Sequence, residues 1–261
     1  MRESAGRPLH EGAMSIPGRV ALVTGAGQGI GRACAEHLAE KGMAVVVADL
    51  QAGMAEQVAA ALRQRGYESS SVTVDVADVA AVKDTVARVA REYGRVDVLV
   101  NNAGILHTTP IQEITEAEWD HILAVNLKGA FFVSQQVLPL MVAKHWGRII
   151  NIASIAGRMG GYSNGLAYSA SKAGLIGLTM GMARRVAEFG ITVNAVAPGT
   201  TRSPILDKIP DAQLEELRQR IPIKRLGEPK DTAVLVAFLA SEEAGFITGA
   251  VVDVNGGMFM G

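Results

Sequence analysis

The chain alternates short apolar runs with helical patterns from near its start to its end, and this alternation limits its fold more than any other feature. The runs are almost continuous in Val, Ile and Leu, which predicts strands covered on both faces, as in a parallel sheet. Strands that alternate with helices predict right-handed βαβ units and one doubly wound α/β sheet. The predicted strands cover residues 19–24, 43–49, 71–76, 96–101, 148–153, 191–197 and 250–255, and glycines that end helices stand at 42, 66 and 94.

Composition favours one large domain and excludes several kinds of partner. The 261 residues are 49% hydrophobic and 20% charged, which is enough apolar material for a single core. The net charge of −1 provides no basic field for nucleic acid or an anionic membrane. The single cysteine, Cys34, excludes an intrachain disulfide and fits a reducing cytoplasm. The longest apolar stretch, residues 173–183, is too short to span a bilayer.

The first residues differ from the rest of the chain. Residues 1–13 follow no strand or helix pattern and lack the apolar centre of a signal peptide. We predict that they form a disordered extension, or an upstream start before Met14. The single domain is predicted to cover residues 14–261.

The stretch TGAGQGIG, Thr24 to Gly31, follows the first strand and opens the first helix. Such a turn lets backbone N–H groups approach a pyrophosphate at a helix N-terminus, although a tight strand–helix turn has the same composition. Asp49 ends the second strand, near the spacing of about 20 residues expected for the acid that binds the adenosine ribose. A carboxylate there repels a 2′-phosphate, and neither Gln28 nor Leu50 is basic, so NAD is favoured over NADP.

Tyr168 and Lys172, in YSASK, lie four residues apart and so share one helix face. An ammonium group beside a phenol stabilises the phenolate and lowers its pKa toward the range useful for acid–base catalysis. The alternative is a solvated helix face that happens to carry both. Ser154 follows the fifth predicted strand, where it can bind a substrate oxygen or simply end a turn. Asn126 lies in an apolar helical pattern and is either functional or a hydrogen-bonded core residue.

These stretches together resemble the short-chain dehydrogenase/reductase family. The TGxxxGxG turn is followed in family order by Asp75-Val76, NNAG at 101–104, Asn126, Ser154, the YxxxK pair and PGTTRSP at 198–204. The match spans about residues 18–257. The resemblance implies a Rossmann-type sheet of seven parallel strands in the order 3-2-1-4-5-6-7, nicotinamide-dependent hydride transfer and a homotetramer.

The resemblance also implies a role for each site residue. Tyr168 exchanges a proton with the substrate, Lys172 binds the nicotinamide ribose and tunes Tyr168, Ser154 polarises the substrate oxygen, and Asn126 anchors a water that links Lys172 to solvent. Asn101 and Thr200 are further candidates for the cofactor side. The implied cofactor contacts are Gly25, Gln28, Gly29, Ile30, Gly31, Asp49, Leu50, Asp75, Val76, Asn102, Ala103, Gly104, Tyr168, Lys172, Pro198, Gly199, Thr201 and Ser203.

The segments around the substrate are less well defined. The loop from Ser154 to Tyr168 is one residue longer than is commonest in the family, and Arg158, Tyr162 and Asn164 in it either touch a polar substrate or, as we favour, face solvent. Residues 203–226 are predicted to form a lid of one or two short helices bounded by prolines. No metal site is expected, because His107, His121 and His145 lack ligand spacing.

Three functions fit this pattern. The first is an NAD(H)-dependent enzyme that interconverts a secondary alcohol and a ketone on a small polar molecule such as a sugar, polyol or hydroxy acid. The alternative is a 3-oxoacyl-[acyl-carrier-protein] reductase, a branch that the chain resembles closely in NNAGI and in VNGG near its end. Asp49 argues against that branch, which more often uses NADPH. The lack of an evident basic cluster for an acidic carrier protein also argues against it, although Lys128, Lys144 and Arg148 leave some room for one. A non-catalytic nucleotide-binding protein is the third.

Overall fold

The computed structural model describes residue 16 and residues 18–161, 165–203 and 211–261. The predicted extension, residues 1–13, lies outside this part of the chain, as do Tyr162, Asn164 and residues 204–210 of the predicted lid.

Seven strands form one sheet in the order β3-β2-β1-β4-β5-β6-β7, and every neighbouring pair is parallel. This confirms the predicted α/β class and strand order. The chain reverses its direction of travel across the sheet between β1 and β4, which opens a crevice at the carboxyl ends of these strands. The strands are β1 Val20–Thr24, β2 Ala44–Asp49, β3 Ser69–Thr73, β4 Val98–Asn101, β5 Gly147–Ile152, β6 Ile191–Pro198 and β7 Val251–Val254.

Helices connect the strands and cover both faces of the sheet. The predicted glycine stops are confirmed, since Gly42, Gly66 and Gly94 all have positive φ, which glycine adopts at little cost. Asp78 caps α3 by accepting hydrogen bonds from the backbone N–H groups of Ala80 and Ala81. The helices are α1 Gly29–Glu40, α2 Ala52–Gln64, α3 Val79–Tyr93, α4 Glu116–Leu123, α5 Ala130–Val142, α6 Ala156–Met159, α7 Leu166–Val186, α8 Asp211–Arg220 and α9 Pro229–Leu239, with a π-helical segment at Ala124–Gly129 and a 3₁₀ turn at Ala187–Phe189.

Alternation along the strands explains the two cores. Successive side chains of a strand point to opposite faces, so Val45 and Val47 pack with α1, α2 and α9, whereas Val46 packs with α3, α5 and α7. Because each face is covered by helices, most positions of the inner strands are apolar, and the polar ones, such as Asn101 and Asn151, are buried with hydrogen-bond partners. This is the physical origin of the nearly continuous Val and Ile runs.

Two local expectations differ from the structure. The third strand covers Ser69–Thr73 rather than 71–76, because β3 is an edge strand that accepts polar residues; the Ser69 hydroxyl donates to Val45 O at 2.8 Å. The helix around Asn126 is interrupted by the π-helical segment Ala124–Gly129, which the apolar pattern does not reveal.

Part of the predicted lid is helical, in α8. Within the described ranges, no helix combines the length and apolar character needed to cross a bilayer.

Candidate active site

The glycine turn after β1 forms a tight loop with open space at its outer side. A Cβ atom on Gly31 would lie 2.2 Å from Gly25 O and 2.4 Å from Asn102 Nδ2, so only glycine fits there. A Cβ atom on Gly29 would meet nothing within 4 Å. Gln28 is the N-cap of α1 but its side chain does not cap the helix. The N–H groups of Gly29 and Ile30 therefore begin a helix beside open space, which is the chemistry of an anion site.

Asn102 holds this turn against the end of β4. Its Nδ2 donates to Thr24 O at 3.1 Å and to Gly25 O at 2.8 Å. Thr24 Oγ1 in turn accepts the backbone N–H groups of Asn102 at 3.1 Å and Ala103 at 3.2 Å. Asn102 was expected to contact the cofactor, and the structure gives its side chain a second task, that of fixing the loop. Thr24 was missed as a site residue, because a threonine at the end of a strand carries no signal of its partners.

Asp49 lies at the end of β2 beside the glycine turn, as predicted. Its Oδ2 accepts from Gly27 N at 2.9 Å and its Oδ1 accepts from Gln51 N at 3.0 Å. The next side chain, Leu50, is 65% exposed and carries no charge. The carboxylate is thus fixed in orientation by two backbone donors and keeps further lone pairs for hydroxyl groups.

The remaining residues predicted to contact the cofactor lie in different surroundings. Gly104 lies against the reacting groups, since a Cβ atom on it would lie 3.5 Å from Lys172 Nζ. Asp75 accepts from Ala77 N at 2.9 Å, and Val76 is buried. Asn101 was expected to line the cofactor. Its side chain instead lies in the core, where it donates to Ser134 Oγ and Asn151 Oδ1, because the last residue of β4 points between α5 and β5.

Lys172 is buried on the inner side of α7. Its Nζ donates to Ile152 O at 2.7 Å and lies 5.7 Å from the centre of the Tyr168 ring. Burial lowers the pKa of Lys172 to about 8, because the protein interior disfavours the charged ammonium. The predicted proximity of the two side chains on one helix face is present.

Tyr168 and Ser154 meet beside Lys172. Burial raises the pKa of Tyr168, and a hydrogen bond with the Ser154 side chain opposes this rise. The sequence argument expected Lys172 to lower the pKa of Tyr168. In the structure the direction is the opposite, because desolvation of the phenol dominates. Ser154 is also buried and its Oγ accepts from Ala156 N at 3.1 Å, so its position is fixed by the turn after β5.

Asn126 lies in the π-helical segment, a type of helix distortion that often occurs at functional sites. Its Oδ1 accepts from Ile105 N at 2.8 Å, and its Nδ2 donates to Ile105 O at 2.9 Å and to Ser171 Oγ at 3.0 Å. The amide is therefore fully engaged by protein groups. A role for Asn126 in a proton relay from Lys172 stays a prediction of the resemblance.

The loop after β6 closes the far side of the site. Gly199 packs so closely on Asn255 that a Cβ atom would lie 2.9 Å from Asn255 Cα. Thr201 Oγ1 donates to Gly199 O at 3.2 Å. Of the other candidates there, Pro198 is the last residue of β6, and Thr200 and Ser203 follow it in the loop.

Arg158 is neither free in solvent nor aimed at an open pocket. Its guanidinium lies 3.7 Å from Asp253 Oδ2 and 4.7 Å from the ring of Phe259, and it donates to Gly261 O at 3.0 Å. It therefore ties α6 to the last residues of the chain.

Within the described ranges, no three His, Cys, Asp or Glu side chains are grouped as a metal site would require.

A family model described as enoyl-(acyl carrier protein) reductase matches residues 25–259. The chain belongs to the short-chain dehydrogenase/reductase family. It is 46% identical over 245 residues to the 3-oxoacyl-[acyl-carrier-protein] reductase FabG of Staphylococcus epidermidis, covering 92% of this chain and 98% of that protein.

Two further proteins are similar to this chain over more than nine-tenths of its length. The FabG protein of Pseudomonas aeruginosa is 42% identical over 249 residues, covering 95% of this chain and 100% of that protein. The crystal structure of gox2181 matches with a TM-score of 0.91 and 36% identity, covering 94% of this chain and 97% of the other. The resemblance read from the sequence is confirmed.

Members of this family use a nicotinamide dinucleotide, and the residues present fit one. The open space at Gly29 next to the α1 N-terminus suits a pyrophosphate, and the fixed carboxylate of Asp49 suits ribose hydroxyl groups. Lys172 Nζ donates to Ile152 O at the end of β5, and β4 alone separates β5 from β1, which leads into that turn. The glycine turn, Asp49 and Asn102 are called the cofactor side below, and Ser154, Tyr168 and Lys172 the reacting side; the roles themselves stay predictions.

Proposed function

We propose that this chain is an NADH-dependent reductase of 3-oxoacyl thioesters, which yields 3-hydroxyacyl thioesters and also runs in reverse. One observation carries the reaction type: Ser154 and Tyr168 share a hydrogen bond beside a buried Lys172. The thioester class is supported by relatives named 3-oxoacyl-[acyl-carrier-protein] reductase over more than nine-tenths of the chain. They favour this function over the small polar alcohol that the sequence put first.

The side chains account for the proton half of the reaction. When bound, the nicotinamide supplies the hydride that reaches the carbonyl carbon. Ser154 donates a hydrogen bond to the carbonyl oxygen and holds it against Tyr168. Because burial raises its pKa, the phenol of Tyr168 keeps its proton at neutral pH and donates it to that oxygen as charge develops there. In the oxidation direction the phenolate form of Tyr168 accepts the proton of the substrate hydroxyl group.

Lys172 is suited to return a proton to Tyr168 after each reduction. With a pKa of about 8 it is mostly protonated at neutral pH and releases a proton at modest cost. A phenolate formed at Tyr168 faces this ammonium at a ring distance of 5.7 Å. Burial of Lys172 disfavours its charged form, which is a cost to the fold. A protein that only binds nucleotide has no need to bear this cost, which argues against the non-catalytic alternative.

NADH is proposed as the cofactor on the basis of Asp49. Its carboxylate is fixed where ribose hydroxyl groups donate and where a 2′-phosphate is repelled. The exposed side chain beside it is Leu50, which offers no positive charge to a phosphate. The 3-oxoacyl-[acyl-carrier-protein] reductases more often use NADPH, but we give more weight to the charge at this position.

The test is a panel of substrates with both cofactors, followed by the absorbance of the reduced nicotinamide. The panel contains 3-oxoacyl thioesters on coenzyme A and on a carrier protein, together with ketones of sugars, polyols and hydroxy acids. We expect kcat/KM for a thioester to exceed that for any small ketone by at least about 100-fold, because the acyl chain adds binding energy. A sugar or hydroxy acid as the best substrate contradicts the function, and a strong NADPH preference contradicts the role of Asp49.

The homotetramer and the cytoplasmic location stay predictions. The outer sides of α4, α5 and α7 offer an apolar groove lined by Leu123, Leu127, Phe131, Phe132 and Leu178, which supports association between copies. Sedimentation velocity of the full chain tests the tetramer.

A further inference from the structure

The first turn of α7 carries Tyr168 but lacks the usual means of support. The N-cap residue Gly165 provides no side-chain hydrogen bond to the helix. Two buried hydroxyl groups hold this turn from within. Ser169 Oγ donates to Gly160 O at 2.8 Å, and Ser171 Oγ donates to Tyr168 O at 2.7 Å.

Ser171 is connected to more than its own helix. Its Oγ also accepts a hydrogen bond from Asn126 Nδ2 at 3.0 Å, and its side chain is fully buried. Asn126 in turn holds both backbone groups of Ile105, the residue that follows Gly104. A continuous chain of hydrogen bonds therefore runs from the loop after β4, through the π-helical segment, to the carbonyl group of Tyr168.

The same chain of contacts surrounds Lys172. A Cβ atom on Gly104 would lie 3.3 Å from Asn126 Oδ1 and 3.5 Å from Lys172 Nζ. Any movement of the first turn of α7 relative to the π-helical segment would thus change the distance between Tyr168 and the groups around Lys172. Displacements of about 1 Å near a reacting centre are enough to lower a rate by about 100-fold.

We propose that Ser171 is a positioning residue, whose hydroxyl locks the turn that carries Tyr168 to Asn126 and so holds the phenol in its reacting position. It does not act on the substrate itself. A helix interior serine normally bends its helix slightly through a bond to a carbonyl group one turn back. Here that bond is put to use, because the carbonyl group belongs to Tyr168 and the second bond anchors it.

A matched control lies on the same helix. Thr179 is also fully buried, and its Oγ1 accepts from Asn151 Nδ2 at 2.9 Å and donates to Leu175 O at 2.8 Å. Thr179 therefore repeats the bonding pattern of Ser171 two turns further along, away from Tyr168. If Ser171 only stabilised the fold, loss of either hydroxyl would have the same kind of effect.

The kinetic test compares Ser171→Ala with Thr179→Val, and this part rests on the proposed ketone reduction. We expect Ser171→Ala to lower kcat by about tenfold or more while KM for NADH changes by less than about threefold. Thr179→Val should lower the melting temperature to a similar extent but leave kcat within about twofold. Ser171→Thr, which retains a hydroxyl able to bond one turn back, should restore kcat.

The second test needs no substrate, so it separates failure of this proposal from failure of the proposed function. Hydrogen–deuterium exchange is measured on the full chain. In Ser171→Ala we expect amide exchange in residues 169–174 to accelerate by about tenfold, with little change around residue 179. Thr179→Val should show the reverse pattern.

The outcomes divide cleanly. Exchange that accelerates locally in Ser171→Ala, with a loss of kcat that Ser171→Thr repairs, supports the proposal. Equal kinetic losses in Ser171→Ala and Thr179→Val, a Ser171→Thr variant as slow as Ser171→Ala, or unchanged exchange in residues 169–174 would overturn it. If no thioester is reduced but another ketone is, the function fails and the kinetic comparison is made on that ketone.

Discussion

The cofactor side and the reacting side of this site are built in opposite ways. The cofactor side is mainly backbone: one contiguous glycine turn, closed by Asn102 and bordered by Asp49, in which the absence of Cβ atoms sets the geometry. The reacting side is made of side chains from β5, α7 and the π-helical segment, held by buried hydrogen bonds. Substitutions on the cofactor side should therefore act through steric overlap. Substitutions on the reacting side should lower the reaction rate while the fold is retained.

The largest effect is expected on the reacting side, from Tyr168→Phe. Loss of the proton donor should lower kcat by about 1,000-fold, whereas the dissociation constant of NADH should change by less than about threefold. Stopped-flow turnover and NADH fluorescence titration measure the two quantities. Tyr93→Phe is the control, since its hydroxyl donates to Ser70 far from the crevice. A kcat within about tenfold of the unaltered enzyme would remove Tyr168 from the proton step.

The next effect concerns the buried charge of Lys172. Because its pKa is about 8 in the fold against 10.5 unfolded, the unfolded chain binds more protons between these values, so this residue makes the fold more stable as pH rises from 8 to 10. Lys172→Met should abolish this contribution, so the unaltered protein gains about 2 kcal/mol relative to the variant across that range. Denaturant unfolding at several pH values measures it, and parallel pH profiles for the two proteins would falsify the burial argument.

On the cofactor side, Gly31→Ala should break the turn. The added Cβ atom would overlap Gly25 O and Asn102 Nδ2, and relief of an overlap of this kind costs about 1–3 kcal/mol, or about 5- to 150-fold in NADH affinity. Gly53→Ala is matched to it, because a Cβ atom there meets nothing within 4 Å. That control should bind NADH normally. Normal NADH binding by Gly31→Ala itself would show that the turn does not hold the cofactor.

The smallest effect is expected at Asp49. Asp49→Asn removes a charge without changing shape, so NADH affinity should fall by about tenfold and the preference for NADH over NADPH should narrow. Asp78→Asn is the control, since Asn caps a helix as well as Asp does and Asp78 caps α3. Unchanged discrimination between the two cofactors in Asp49→Asn would show that specificity comes from elsewhere.

The same contrast explains what the sequence could predict. Strand runs, glycine stops and the glycine turn depend on local spacing and were predicted well. The meeting of Ser154, Tyr168 and Lys172 was predicted from their motif order. Local patterns do not report which buried partner a polar side chain finds, so the core position of Asn101 and the linking roles of Thr24 and Ser171 were not predicted.

Two further features depend on tertiary structure alone. The π-helical segment at Ala124–Gly129 follows no propensity rule, and Asn126 within it is held by the backbone of Ile105, from a distant loop. The pKa of Tyr168 is raised rather than lowered because burial, which no motif encodes, outweighs the hydrogen bond with Ser154. Helix spacing alone correctly placed the two groups on one face but gave the wrong direction for this shift.

In the proposed reaction a carbonyl oxygen is held between Ser154 and Tyr168, and the most direct test of this follows the hydride. The enzyme is given NADH deuterated at the transferable position, with either a 3-oxoacyl thioester or a 2-enoyl thioester, and products are analysed by mass spectrometry. We predict a 3-hydroxyacyl thioester with deuterium on C3 from the first substrate, and none from Tyr168→Phe. A saturated, deuterated acyl thioester from the enoyl substrate, with no hydroxyacyl product from the oxo substrate, would contradict the account.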